Sequence, residues 1–248
     1  MEIRGLPFPV TVTGDPASGA SAELGIDLAP PIAELGFDQL RCVVAWYAAL
    51  GKLGGLGGAD LPPDGTTAVL GNQDEPVSRG PRSIWRFDAL CVDPRSLVIL
   101  ANLVFATGLQ VTRAWLHTAG HTAPEAYAPD DFPEVYRQAP FEIDDLREHR
   151  NVTITISFAD DLPVQQHGPV SDMLRIWSMV GALGGFRHPG PLRERLDLLP
   201  EDDPEIILDE LNFSIRDQGM HDAAYGVLTN LLIRLHRSEA GITRLRMC

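Results

Sequence analysis

Asn151-Val152-Thr153-Ile154-Thr155-Ile156-Ser157-Phe158 alternates polar and apolar residues without a break, the pattern of a strand with one buried face. Downstream, Val170, Met173, Leu174, Trp177 and Val180 recur at helical spacing. They run out in Leu183-Gly184-Gly185, where glycine supplies the left-handed residue that closes a helix. A second strand alternates Leu211, Phe213 and Ile215 with Asn212, Ser214 and Arg216. A second helix carries Ala224, Val227, Leu228, Leu231, Leu232 and Leu235, and Ile242–Met247 reads as a last strand.

Upstream, the same order recurs. Val10 and Val12 alternate with Thr11 and Thr13. A helix follows with Leu40, Val43, Val44, Tyr47 and Leu50 on one stripe, and ends in Leu53-Gly54-Gly55. Ile84–Val92 reads as a strand with Trp85, Phe87, Ala89 and Cys91 on one face. Asp93-Pro94 then opens a helix that is apolar on most sides, and Val111–Leu116 closes the unit. Individual residues also match between the halves: Trp46 with Trp177, Leu53-Gly54-Gly55 with Leu183-Gly184-Gly185, Asn102-Leu103 with Asn230-Leu231, and Val111-Thr112-Arg113 with Ile242-Thr243-Arg244.

The expected fold class is therefore α+β, an internal duplication of a β-α-β-α-β unit with its helices packed on one face of an antiparallel or mixed sheet. A short strand at Thr66–Leu70 makes the first unit β-α-β-β-α-β, the ferredoxin-like order. The expected divisions are a first repeat over 1–117, a linker over 118–139 rich in Pro, Ala, Asp and Tyr, and a second repeat over 140–248.

The chain has 248 residues, enough to bury a core without disulfides, and 44% of them are hydrophobic, which argues against bulk disorder. Its 34 acids against 20 bases give a formal net charge of -14, which argues against binding nucleic acid or an anionic membrane. The only lysine is Lys52, so Schiff-base chemistry has a single candidate; the arginine skew reads as a GC-rich, bacterial origin. Cys42 and Cys91 read as small core side chains, and neither they nor Cys248 shows a zinc-ligand spacing. Neither a signal peptide nor an apolar run long enough to span a membrane is evident, so the expected location is the cytoplasm.

Candidate chemistry is sparse. Gly51–Gly58 is rich in glycine but follows a helix, the wrong end for cradling phosphate. His117 and His121, with Asp130 and Asp131, form the best metal candidate, although Thr118 stands where a His-Glu-x-x-His hydrolase has Glu. Asp144, Asp145, Glu148 and His149 on one side, and Asp209, Glu210 and His221 on the other, are the candidate acid/base sets. Trp115 beside Arg113 suits a protein-binding hot spot.

Charge is the more informative signal. Residues 1–124 carry 12 acids and 8 bases, and residues 125–248 carry 22 and 12. Glu194–Glu210 alone holds 8 acids against Arg195. The reading is a non-catalytic cytoplasmic binding protein, an adaptor or immunity-like protein with no cofactor. Glu194, Asp197, Glu201, Asp202, Asp203, Glu205 and Trp115 would meet a basic protein partner. The alternative is a metal-dependent enzyme with its site near the junction of the two repeats.

Overall fold

The computed structural model describes residues 2–3, 8–30, 34–57, 76–119, 139–147, 151–187, 199–200, 203–216 and 220–248. The fold is α+β, with two mixed sheets and, among the described residues, four α-helices. In chain order the first half holds β1 (Glu2–Ile3), β2 (Val10–Thr13), β3 (Ala20–Leu28), α1 (Glu34–Lys52), β4 (Val77–Arg79), β5 (Arg82–Leu90), α2 (Leu97–Ala106) and β6 (Val111–Thr118). The second holds β7 (Glu142–Asp145), β8 (Asn151–Phe158), α3 (Val164–Ala182), β9 (Leu199–Pro200), β10 (Glu205–Ile207), β11 (Glu210–Arg216), α4 (Ala223–Leu235) and β12 (Ile242–Met247).

The first sheet runs β1-β2-β6-β3-β5-β4 and the second β7-β12-β8-β11-β10, with β9 also on β11. In each, a strand from early in the half lies parallel to the strand that closes it, β2 on β6 and β7 on β12; the neighbours inward are antiparallel. Alternation decides which face is buried. Leu24 and Ile26 of β3 and Ile154 and Ile156 of β8 are buried, as are Leu211, Phe213 and Ile215 of β11. The opposite face of the second sheet is polar, with Thr155 Oγ1 donating to Asn212 Oδ1 across the ladder at 2.8 Å.

Several sequence expectations are corrected. Val10–Thr13 does not lead into a helix; β3 intervenes, and β3 takes the central place that β8 holds in the second sheet. β3 escapes the alternation pattern because Gly25 stands at an outward position and Ala20 and Ala22 weaken the apolar signal. Val77–Arg79 forms a strand that the sequence reading lacks, while the expected strand at Thr66–Leu70 falls outside the described residues. Alternation in β5 breaks at a register shift, so that Leu90 is buried and Cys91 only half-buried. Cys42 is exposed on α1, away from the core. Most of the expected linker, 120–138, is outside the described residues, while Thr118 ends β6 and is buried.

Trp46, expected to match Trp177, is half-buried, whereas its neighbour Tyr47 and Trp177 are both buried, and each of these two is anchored on the opening turn of the next helix in its own half. Trp177 Nε1 donates to the Ala224 carbonyl at 2.8 Å, and the Tyr47 hydroxyl lies 3.1 Å from Ser96 Oγ. The turns after α1 and α3 are pinned alike, since Asp93 N donates to Leu56 O and His221 N to Phe186 O, each at 2.9 Å.

The two halves are fastened reciprocally. Asn102 on α2 donates through Nδ2 to the carbonyls of Gly185 and Arg187 at 3.2 and 2.9 Å, and Asn230 on α4 donates to that of Gly57 at 2.9 Å. Glycine is required at these turns by close approach: a Cβ on Gly185 would sit 2.7 Å from Val180 Cγ1 and 3.2 Å from Ile99 Cγ2 of the other half. A Cβ on Gly55 would meet Val227 Cγ1, again across the junction, at 3.1 Å. One buried apolar cluster runs through both halves.

Candidate functional site

Each expected site residue has a definite place or lies outside the described residues. Glu194, Asp197, Glu201 and Asp202 are outside. Asp203 and Glu205 are exposed, and Asp203 accepts a bond from Arg175 at 3.0 Å. Of the described members of that set, Trp115 stands on the first sheet, whereas Asp203 and Glu205 belong with the second. Its indole lies across Gly25, where a Cβ would come within 2.1 Å of Cε2. The indole Nε1 is buried there without a hydrogen-bond partner. Around it, Arg82 and Arg113 share Asp27, with bonds of 2.6 and 3.0 Å from Arg82 and 3.1 Å from Arg113. The Arg82 bond holds the Asp27 carboxyl below the usual range, against the opposing effect of burial.

Of the expected metal set, only His117 is among the described residues. His117 is exposed on β6, while His121, Asp130 and Asp131 lie outside the described residues. Among the described residues no group of three or more His, Cys, Asp or Glu is placed to hold an ion. Of the acid/base candidates among the described residues, Asp144, Asp145 and His221 have other partners. Asp145 pairs with Arg147 at 2.7 Å, which lowers its carboxyl below the ordinary value, and Arg147 lies 3.7 Å over the Tyr225 ring. Asp144 faces Arg244 and Arg246. His221 Nδ1 accepts from Ala223 N at 3.0 Å, at the far end of β11 from Asp209 and Glu210. His149 and Glu148 are outside the described residues.

The structure does assemble another surface, at the end of the second sheet where β8 leads towards α3. Phe158 N donates to Asp209 O at 2.8 Å and Leu162 N to Leu208 O at 3.4 Å. These bonds tie the β10–β11 turn to the segment carrying Asp160 and Asp161. Val164, Ile207 and Leu208 are 77%, 53% and 69% exposed there, beside exposed Asp160, Asp161, Glu205, Asp209 and Glu210. No basic side chain among the described residues pairs with these five acids.

Leu208 departs from what its turn favours. Its φ is +55°, in the region where a branched side chain crowds the backbone at a cost of about 1–2 kcal/mol. The corresponding two-residue turn between β4 and β5 has Gly80 at φ +58°. The sequence contains little of this signal, since Ile-Leu-Asp-Glu offers Asp209 alone among the usual turn residues and no glycine for the positive φ.

No protein family description and no curated protein matches the chain. Among solved structures, it is similar to a mutant of the ferredoxin protease FusC in complex with Arabidopsis ferredoxin. That likeness has a TM-score of 0.20 and 10% identity, covering 96% of this chain and 37% of the other. It is also similar to a conserved protein from Enterococcus faecalis V583, with a TM-score of 0.16 and 7% identity, covering 96% of this chain and 79% of the other. The chain thus spans little more than a third of the first, and likenesses at these scores carry no argument about activity. No helix among the described residues is long and apolar enough to cross a membrane.

Proposed function

We propose that this chain is a non-catalytic cytoplasmic binding protein, adaptor or immunity-like, that engages a basic protein partner. The surface is the β8–α3 and β10–β11 end of the second sheet. The observation that carries the reading is the association of Val164, Ile207 and Leu208, all exposed, with five acids that have no basic partner among the described residues. Apolar anchors ringed by one sign of charge suit an interface in which the anchors supply affinity and the ring supplies on-rate and specificity. The uncompensated charge also favours a basic partner over self-association of the same patch, because like charges would then face each other. We further propose that the two halves descend from duplication of one unit with the ferredoxin-like order. Support comes from the matching strand orders β6-β3-β5-β4 and β12-β8-β11-β10, and from the paired contacts of Asn102 and Asn230.

The test places a photo-reactive residue at position 208 and, as a control, at position 153 on the polar sheet face. The partner recovered from position 208 alone is then purified and bound again. Expected is a basic protein whose association slows with salt, and slows about tenfold or more when Asp160→Asn, Asp161→Asn, Asp209→Asn and Glu210→Gln are combined. Unchanged binding of the purified partner by that variant refutes the proposal.

A further inference from the structure

The two junction grooves related by the matching halves are filled differently. In one, Arg234 reaches from the last turn of α4 across Gly54, and its Nη1 donates to the Lys52 carbonyl at 2.6 Å. The aliphatic stem and guanidinium of Arg234 thereby answer the carbonyl end of α1. The corresponding position on α2 is Ala106, which has no stem to extend. On that side the guanidinium over the glycine comes from the turn itself: a Cβ on Gly184 would meet Arg187 Nε at 2.7 Å. The space beside Ala106 is left open as a groove of about 430 Å³ between α1, α2 and the end of α3.

Its lining joins the apolar Val43, Leu103, Ala106, Ala182 and Leu183 to Gln39, Cys42, Thr107 and a single cation, Arg187. The volume falls in the range of small-molecule sites, and such sites favour junctions between structural units. A largely apolar trough lined by one cation selects an amphiphile whose head is anionic. A guanidinium has five donors, so Arg187 can accept a carboxylate in addition to its internal contacts. We propose that this groove binds a small apolar monocarboxylate, its chain along Val43, Leu103 and Leu183 and its carboxylate on Arg187. This is independent of the protein-binding surface, which lies at the end of the second sheet.

Cys42, which lines the groove and is exposed, supplies the readout. In the full chain carrying Cys248→Ser, N-ethylmaleimide reacts with Cys42, while Cys91 is slow because burial raises its thiol pKa. Octanoate, 1-octanol and octylamine are the probes, titrated below the concentrations at which they form micelles. Octanoate at about ten times its Kd is expected to slow Cys42 labelling about tenfold. 1-Octanol should bind about tenfold more weakly for want of the charged contact. Arg187→Gln should bring octanoate down to the level of 1-octanol. Ala106→Arg, which copies Arg234, should abolish protection while the thermal midpoint holds; if that variant does not fold, Ala106→Leu fills the same space. Three results overturn the proposal: no protection by octanoate, protection that survives filling of the groove, or octylamine protecting as well as octanoate.

Discussion

Replacing Asn102 with alanine removes a fastening whose cost follows from its geometry. Asn102 is buried, and its Nδ2 serves two carbonyls of the other half, Gly185 O at 3.2 Å and Arg187 O at 2.9 Å. A buried hydrogen bond contributes about 0.5–1.5 kcal/mol net, and a carbonyl left without a donor costs about 1–3 kcal/mol unless water reaches it. Arg187 is half-buried, so its carbonyl regains some solvation, whereas that of Gly185 sits on a buried turn against Val180 and Ile99. The expected loss for Asn102→Ala is about 2–4 kcal/mol. Asn230→Ala gives up a single bond, to the half-buried Gly57 at 2.9 Å, and should cost about 1–2 kcal/mol. Urea unfolding followed by circular dichroism and by tryptophan emission measures both. Because one core runs through both halves, the two signals should move together in every variant, with an unchanged slope. Asn102→Ala within about 0.5 kcal/mol of the parent, the ordinary effect of a surface change, would refute the fastening. So would a second transition in the parent, since that would mean the halves unfold independently.

Gly25→Ala should drive the Trp115 indole off the sheet, since the new Cβ would sit 2.1 Å from Cε2; a cost of about 1–3 kcal/mol and a change in emission absent from the Trp115→Phe background are expected. Asp27, whose carboxyl Arg82 holds below the usual range, contributes stability that is fully present above the unfolded value of about 4 and is lost as pH falls towards the folded one. Asp27→Asn should therefore lower stability at neutral pH and flatten its decline in acid, as measured by urea midpoints across that range. Arg147→Met keeps an apolar stem near Tyr225 but loses the Asp145 bonds and the charge over the ring, and should cost about 1–3 kcal/mol by thermal unfolding.

What was legible in the sequence is what depends on local periodicity. β8 and β11 declare themselves because every second residue is large and apolar, and α1 and α4 because their stripes are unbroken. β3 was hidden because its outward positions carry Gly25, which exists to receive Trp115, a residue far along the chain that no local window contains. Trp46 drew the match with Trp177 by identity, while burial and hydrogen bonding belong to Tyr47, because a hydroxyl and an indole N–H can hold the same turn at the same depth. Of the candidate site, the acidity was legible but the grouping was not. Asp160 and Asp209 are brought together by pairing between β8 and β11, and composition carries no register.

The matching halves also separate what the fold demands from what it does not. Asn102 and Asn230, and the paired glycine turns, recur because packing the halves together requires them at both places. Where the halves diverge, that requirement is lifted. Gly80 and Leu208 share a positive φ in similar two-residue turns, so an unstrained turn is possible here and a strained, exposed leucine stands in one half alone. Ala106 faces an open groove where Arg234 closes its counterpart, so this fold can fill the space from its own chain and on one side does not. A residue that costs stability where its counterpart does not, or a space left open where its counterpart is filled, has no explanation in folding. The Leu208 surface and the Ala106 groove are the two such places, whereas the burial of Trp115 against Gly25 is explained by packing on its own sheet.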